Sequence, residues 1–400
     1  MNVLLVTREF PPTMVGGIAK LSFHLYNHLR RLGINVKVVA FGDNSSSHED
    51  IIFFTPSSSI TNRTDHSLSG ALKIPIDIKR FTHFVNKLIK TESFDVVHVL
   101  EPYVGGFIRH KYKVTTIHDT VCRELKAWVK YPLQQSFKRI AFYSSLGYIM
   151  EFFSIHNSKV IITPSIGTAS TLRRIYKVHK SNIRVIPNGI ERPKKLVDQQ
   201  IAKKSIGIDP NTILIFTTAH HVARKRLEVF IKAVKYLKNW NVKNFKAIIS
   251  GEGPLTNYYR EITCKLGVSN LIVFTGWLNE KELDLYYSAC DIFVITSEAE
   301  AGPITLLEAG IRGKAIVTTN IDGLPILMKH GIHCLKFDIG DSKMLAKHLQ
   351  KLIFNDKARM IIGSNAKIFS EQFTWDKIAR KVAQVYQELM DESYFAYRNN

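Results

Sequence analysis

Short runs of consecutive apolar residues alternate along this chain with longer stretches whose apolar positions recur every three to four residues. Residues 3–6, 35–40, 96–100, 114–117 and 160–163 are near-continuous apolar runs, the pattern of parallel strands covered on both faces. Between the first two, Ile18, Leu21, Leu25 and Leu29 recur at helical spacing and Gly33 follows them. That predicts a helix stopped by a glycine. Residues 41–70 are rich in Ser, Asp, Asn and Thr and read as loop. The second half repeats the logic. Residues 213–217, 246–250, 272–275, 292–295 and 315–318 predict strands, and Leu227, Phe230, Ile231, Val234 and Leu237 predict a helix after the first of them.

Two successive β-α series imply an α/β protein of two doubly wound, Rossmann-like domains. Turn formers cluster from Pro187-Asn188-Gly189 to Pro193, which sets the domains at 1–190 and 191–374. A last helix, 375–400, carries an apolar stripe of Ile378, Val382, Val385 and Leu389. It is expected to pack back on the first domain. Ligands of open α/β sheets sit at the carboxyl ends of the strands, so the expectation is two domains facing each other across a cleft.

Composition narrows the class. Of 400 residues 45% are hydrophobic and 22% charged, with 22 Gly and 13 Pro, which excludes a disordered or collagenous chain. Lys and Arg number 55 against 34 Asp and Glu, a formal charge of +21. Residues 1–190 hold 25 basic and 12 acidic groups, or +13, and residues 191–400 hold 30 and 22, or +8. Such a field attracts polyanions: nucleic acid, anionic lipid headgroups or phosphorylated ligands. The four cysteines, Cys122, Cys264, Cys290 and Cys334, form no C-x-x-C, and isolated thiols fit core packing in a reducing compartment. The segment Met1 to Glu9 has no basic leader or cleavage site and reads as a first strand rather than a signal peptide. No uncharged apolar stretch reaches the ~20 residues that span a bilayer. A cytoplasmic protein is expected.

Four segments carry candidate chemistry. Pro11-Pro12-Thr13-Met14-Val15-Gly16-Gly17 lies between the first strand and helix. Paired glycines there let backbone N–H groups approach an anion, or simply make a tight turn. Thr116-Ile117-His118-Asp119 puts His118 at a strand's carboxyl end, as a cleft residue or an ordinary satisfied histidine. Glu300-Ala301-Gly302-Pro303 precedes a helix that carries Glu308. Pro303 suits the first helical position, and free N–H groups with the helix dipole favour an anion. Ala219-His220-His221-Val222-Ala223-Arg224-Lys225-Arg226 places three consecutive cations at a strand-to-helix junction, where they clamp phosphates or form a solvated charge run. His220 and His221 are adjacent and point apart on an extended segment. Gly251-Glu252-Gly253-Pro254 is another strand-end turn. There is no D-x-D pair and no clustered His/Cys set, so no metal is expected.

In order, these motifs resemble the retaining glycosyltransferases of family 4, which have the GT-B fold. Ile186-Pro187-Asn188-Gly189 is similar to the family's P-N-G, and Gly251-Glu252-Gly253-Pro254 to its G-[DE]-G-P. Phe274-Thr275-Gly276-Trp277, the run Leu285 to Asp291, then Ser297, Glu300 and Glu308-Ala309 follow in the family's order. The resemblance implies a nucleoside diphosphate sugar donor bound mostly by the second domain, with no further cofactor. Glu308 would hold the ribose; Glu300 and the backbone of Ala301, Gly302 and Pro303 the sugar hydroxyls. Lys225 would neutralise the diphosphate, aided by Gly16 and Gly17, with His220 and Arg224 beside it. His118 would meet the sugar from the first domain, Phe274-Thr275-Gly276 would border the base, and Gly251 is a further donor-binding candidate. The departures are Ala219-His220 for the usual G-R, Lys225-Arg226 for K-G, and Ile326 where G-G-x-x-E has its carboxylate.

The first domain is expected to choose a glycan or lipid-linked acceptor. Residues 123–153 interleave Trp128, Tyr131, Phe137, Phe142, Tyr143, Tyr148, Phe152 and Phe153 with Lys126, Lys130, Lys138 and Arg139. This suits a peripheral, anionic membrane surface on the inner face, or an ordinary core with a solvated basic side. Two alternatives stand beside the hexosyltransferase reading. One is a catalytically weak relative serving as a partner subunit, suggested by His220 and Ile326. The other is a nucleic-acid binder, suggested by charge alone; no recognition motif supports it, and nucleic acid is not expected as a partner.

Overall fold

The computed structural model describes residues 1–12, 17–56, 68–129, 140–141, 143–193, 196–300, 302–321 and 323–391. Two compact units emerge. The first comprises Met1–Leu125, Arg139–Gly189 and Trp375–Asn400, and the second Lys126–Lys138 and Ile190–Thr374.

The first unit holds strands β1 (Asn2–Val6), β2 (Asn35–Phe41), β3 (Ile51–Phe54), β4 (Val96–Val99), β5 (Lys113–Thr116), β6 (Val160–Thr163) and β7 (Ile183–Val185). They form one parallel sheet in the order β3-β2-β1-β4-β5-β6-β7. The apolar runs do what their pattern predicts: every residue of β4, β5 and β6 is buried. On one face Leu4, Val6, Val39, Phe41, Val97 and Val99 pack with Phe81 and Val85 of the helix Leu68–Thr91. The helix Gly17–Arg31 buries Leu21, Leu25 and Leu29. The helix Trp375–Met390 packs against it and buries its stripe of Ile378, Val382, Val385 and Leu389.

The second unit holds β8 (Ile213–Thr218), β9 (Phe245–Ser250), β10 (Ile272–Gly276), β11 (Ile292–Ile295), β12 (Ala315–Thr319) and β13 (Leu335–Phe337). Their order, β10-β9-β8-β11-β12-β13, repeats the winding of the first sheet. Strand order reverses beside β1 in one unit and beside β8 in the other, and the crevice at such a reversal is where open α/β sheets bind ligands.

The structure corrects the loop reading of residues 41–70. It contains β3, and the helix Leu68–Thr91 starts within it. Strands β7 and β13 also went unpredicted. All three are short strands at sheet edges. Polar neighbours dilute so short a pattern, and one flank lacks a strand to bury it. Of the four thiols, Cys290 and Cys334 are buried as expected, but Cys264 is exposed. Among the described residues, no helix is long and apolar enough to cross a membrane.

The chain leaves the first unit after Gly189 and returns at Trp375. A Cβ on Gly189 would lie 2.4 Å from the Trp375 ring, so only glycine fits there. On the other side of each crossing, Ile190 pairs with Thr374, and its N–H donates to the Phe373 carbonyl at 2.9 Å.

Candidate active site

In the second unit, β8 delivers Ala219 to His221 and then the single turn Ala223–Lys225. Arg226 follows in the left-handed region at φ 49° and starts the helix Leu227–Asn239. The next strand in space, β11, delivers the loop that carries Glu300. Side chains and backbone stitch the two loops together. Thr296 Oγ1 donates to the Lys225 carbonyl at 2.7 Å, and the Glu298 N–H donates to that of Arg224 at 2.9 Å. Thr319 of β12 fixes the loop from the far side by donating to the Ser297 carbonyl at 2.6 Å.

That frame converges on one carboxylate. Glu300 is buried, accepts from Ser297 Oγ at 2.6 Å and Arg224 Nη1 at 3.0 Å, and pairs with Lys225 Nζ. Burial alone would raise its pKa. The Lys225 and Arg224 charges, with hydrogen bonds from Lys225 and Ser297, more than offset that and hold it at about 2. The carboxylate is therefore ionised at neutral pH. Thr217, Thr218, Lys225, Ser297, Glu300 and Thr305 line a pocket here. Arg226 is pinned elsewhere, by Glu228 and by Glu298 at 3.0 Å, so Arg224 is the second cation on Glu300.

The helix after the loop, Ile304–Ile311, begins one residue later than expected. Pro303 is its N-cap, in extended conformation, and not its first helical residue. A proline N-cap supplies no side-chain oxygen, so no side chain caps this N-terminus. Glu308 lies buried on the helix and accepts from Tyr287 Oη at 2.8 Å. Burial first, then Glu308, pushes the Tyr287 phenol well above its usual range.

The carboxyl ends of β9 and β10 close in on β8 from the other side. Gly251 has φ +101°, and a Cβ there would stand 2.0 Å from the Ala219 carbonyl oxygen; one on Gly253 would meet the His221 backbone. These glycines exist because two backbones touch. Phe274 of β10 lies beneath the Arg260 guanidinium, 5.3 Å from it, and edge-on to His221. The paired histidines diverge as expected. His220 is exposed; His221 is buried, 2.8 Å from Thr256 Oγ1, and burial lowers it to about 4. Arg260 went unnoticed in the sequence, because nothing in its spacing marks it; Tyr287 figured only within the run Leu285 to Asp291, with no role of its own.

In the first unit, His118 stands two residues past β5, half-buried, with its ring bonded to the Leu100 carbonyl. Burial lowers it to about 4, so it is neutral at pH 7. Beside it His98, which the sequence reading did not single out, is fully buried between Tyr386 Oη at 2.6 Å and Thr116 Oγ1 at 2.7 Å. Burial, then His118, lowers it to about 3. Glu151 is buried below the same turn; both of its oxygens accept from the Val121 N–H at 3.1 Å, and Tyr176 Oη donates to one of them. A pocket lined by Ser22, His98, Thr116, His118, Asn188 and Trp375 opens here. Gly17 opens the helix Gly17–Arg31 with space around it. Gly16, Ala301, Asp322 and residues 130–139 lie outside the described residues.

The structure thus brings Lys225, Arg224 and Glu300 together, with Gly251, Phe274 and His220 at the neighbouring strand ends and Gly302, Pro303 and Glu308 on the adjoining loop and helix. Ile326 is half exposed and offers no charge where the motif has a carboxylate. Among the described residues, no three His, Cys, Asp or Glu gather as metal ligands.

Comparison with known proteins agrees with this architecture. The profile described as Glycosyl transferases group 1 matches residues 198–369, and that described as Glycosyltransferase Family 4 matches residues 15–192. An uncharacterized glycosyltransferase of Methanocaldococcus jannaschii is 25% identical, over 98% of this chain and 99% of its own length. Sucrose-phosphate synthase from Thermosynechococcus elongatus superposes with a TM-score of 0.79 at 16% identity, covering 97% of this chain and 99% of that one. Anabaena HepE, solved with UDP and glucose, superposes with a TM-score of 0.72 at 19% identity over 97% and 100%. Two parallel doubly wound units, matched over residues 15–192 and 198–369 by these two profiles, make this chain a GT-B glycosyltransferase of the group 1, family 4 type.

Proposed function

We propose that this glycosyltransferase moves a hexose-type sugar from a nucleoside diphosphate sugar to a glycan or lipid-linked acceptor, with retention of configuration and without a metal. The observation that carries the reading is the Lys225–Glu300–Arg224 cluster beside the uncapped start of the helix Ile304–Ile311. Cleaving a sugar from a diphosphate builds negative charge on the leaving group, and catalysis requires fixed positive charge where that charge develops. Lys225 and the free N–H groups of the helix supply it. The donor diphosphate competes with Glu300 for the Lys225 ammonium, and the Glu300 carboxylate turns to the sugar hydroxyls. Gly251 and Phe274 border the base, and Glu308 reaches the ribose. HepE, bound to UDP and glucose, supports a donor of this class.

His118 of the first unit is a neutral imidazole that can share a hydrogen bond with a sugar hydroxyl. No side chain is assigned as a nucleophile, so the acceptor attacks from the face the diphosphate leaves. A cytoplasmic enzyme peripheral to the inner membrane face fits the first unit's surface. Phe107, Ile149, Phe152 and Phe153 are exposed, the tilted rings of Phe107 and Phe153 lie 5.3 Å apart, and Arg109 and Lys111 are exposed close by in sequence.

A thermal-shift screen with UDP-, GDP- and ADP-sugars tests the donor. One base should raise the melting temperature, because a ligand that binds only the native state stabilises it. No shift with any of them would end the donor assignment. Flotation with anionic and neutral liposomes tests the surface, and equal binding to both would remove the membrane.

A further inference from the structure

The carboxyl edge of the first sheet holds a second polar pair that the transfer chemistry above does not use. Strands β1 and β4 end side by side, and the residues after them meet. The Arg8 N–H donates to Glu101 Oε1 at 2.6 Å. The Arg8 guanidinium stands 3.2 Å from Glu101 Oε2 and 3.6 Å from Glu9, and 6.0 Å from the Tyr103 ring. Glu101 is 1% exposed. It follows Leu100, whose carbonyl holds the His118 ring, so the pair adjoins the residue assigned to the sugar.

Among the described residues, two buried atoms of this pair lack a hydrogen bond: Arg8 Nε, a donor, and Glu101 Oε2, an acceptor that the guanidinium meets only as an ion pair at 3.2 Å. Buried polar atoms are costly to leave unmade. A donor and an acceptor on two paired side chains match a hydroxyl, which accepts and donates at once; an ionised phosphate only accepts. The charges agree. Arg8 is shared between Glu9 and Glu101, and Arg123 lies 3.4 Å from Asp119. Among the described residues here, carboxylates outnumber cations, and His118 is neutral. The exposed cations Lys79, Arg80, Lys87 and Lys90 sit instead on the helix Leu68–Thr91.

We infer that Arg8 and Glu101 form an acceptor subsite that grips a hydroxyl of a neutral sugar or polyol, so that the accepting end is recognised by hydroxyl groups and not by phosphate. The inference rests on the transferase reading above and adds the chemistry of the acceptor. Discrimination of this kind is strong, because a site built to bond a hydroxyl leaves buried groups unpaired when the hydroxyl is missing.

The test uses the full chain and saturation-transfer NMR. The probes are methyl hexosides and myo-inositol, each set against its monophosphate, with UDP added in parallel samples. At least one neutral probe should bind, its monophosphate should bind at least about tenfold more weakly, and Glu101→Gln should weaken the neutral probe by about tenfold or more. Arg8→Gln, at a more exposed side chain, gives the same reading should Glu101→Gln not fold. Three results overturn the subsite: no neutral probe binds, a monophosphate binds as tightly, or the folded variants keep full affinity. Its failure is distinguishable from failure of the donor assignment, which the nucleotide-sugar screen reads on its own. UDP binding in the variant samples reports that the second unit is intact.

Discussion

The two units wind their sheets in the same order yet treat the acidic groups at their carboxyl edges in opposite ways. In the second, burial of Glu300 is overruled by Lys225 and Arg224, and the carboxylate stays ionised down to about pH 2. In the first, burial of Glu151 wins, despite hydrogen bonds from Tyr176 and Val121, and its pKa rises to about 7. Glu101 is also raised, by burial first, although Arg8 pulls it down. The topology is common to both; the difference lies in whether neighbouring loops supply cations. One edge thus keeps an ionised carboxylate clasped by cations, and the other holds carboxyl groups whose protons bind more tightly beside imidazoles that burial keeps neutral.

The largest effect should come from removing the cation that creates the contrast. Lys225→Ala should cut release of nucleoside diphosphate from the donor by about 10²–10³-fold, the loss typical when one charge-stabilising donor is deleted. It should also raise the Glu300 pKa, which carboxylate NMR can follow. Unchanged release would show that the second unit's edge does not work by charge.

Next is the close approach that shapes this edge. Gly251→Ala combines a φ of +101° with a 2.0 Å clash against the Ala219 oxygen. It should cost about 3 kcal/mol in urea unfolding. A loss near zero would mean that the β8 and β9 turns are not held together as described.

The third test addresses the first unit. The Glu151 pKa is raised on folding, so its contribution to stability is fully present below about pH 4.5 and is lost as pH rises through about 7. Glu151→Gln should flatten that slope, removing roughly 1–3 kcal/mol of the difference between pH 4.5 and pH 8. Melting temperature against pH measures it, and parallel curves for the two proteins would break the comparison. Smallest is Tyr287→Phe, which deletes one hydrogen bond to Glu308 and should cost about 1 kcal/mol. Calorimetry measures it, and a neutral substitution would show that Tyr287 does not hold Glu308.

The central strands were legible in the sequence because burial on both faces writes an uninterrupted apolar run, as in β1, β4, β6 and β11. The edge strands β3, β7 and β13 were not, since half-buried segments of three or four residues carry little pattern. Within the site, Glu300, Glu308 and Lys225 stood out because motif order marked them. Arg260 and His98 did not, and Tyr287 was marked only as part of a motif run, with no contact assigned to it. Their roles come from contacts across separate strands and helices, as when His98 meets Tyr386, 288 residues later. The start of the helix Ile304–Ile311 was misjudged by one position because proline is tolerated both as N-cap and as first helical residue.

That long-range contact bears on biogenesis. The first unit is discontinuous, and its interior stays incomplete until the helix Trp375–Met390 brings Tyr386 to His98 and lays Trp375 against Gly189. During synthesis the strands β1 to β7 emerge first but must wait, while Ile190–Thr374 leaves the ribosome and can close on its own. The later-made half is thus the earlier to mature, and a nascent chain halted before residue 375 would pair a finished lobe with an open one, a natural client for chaperones.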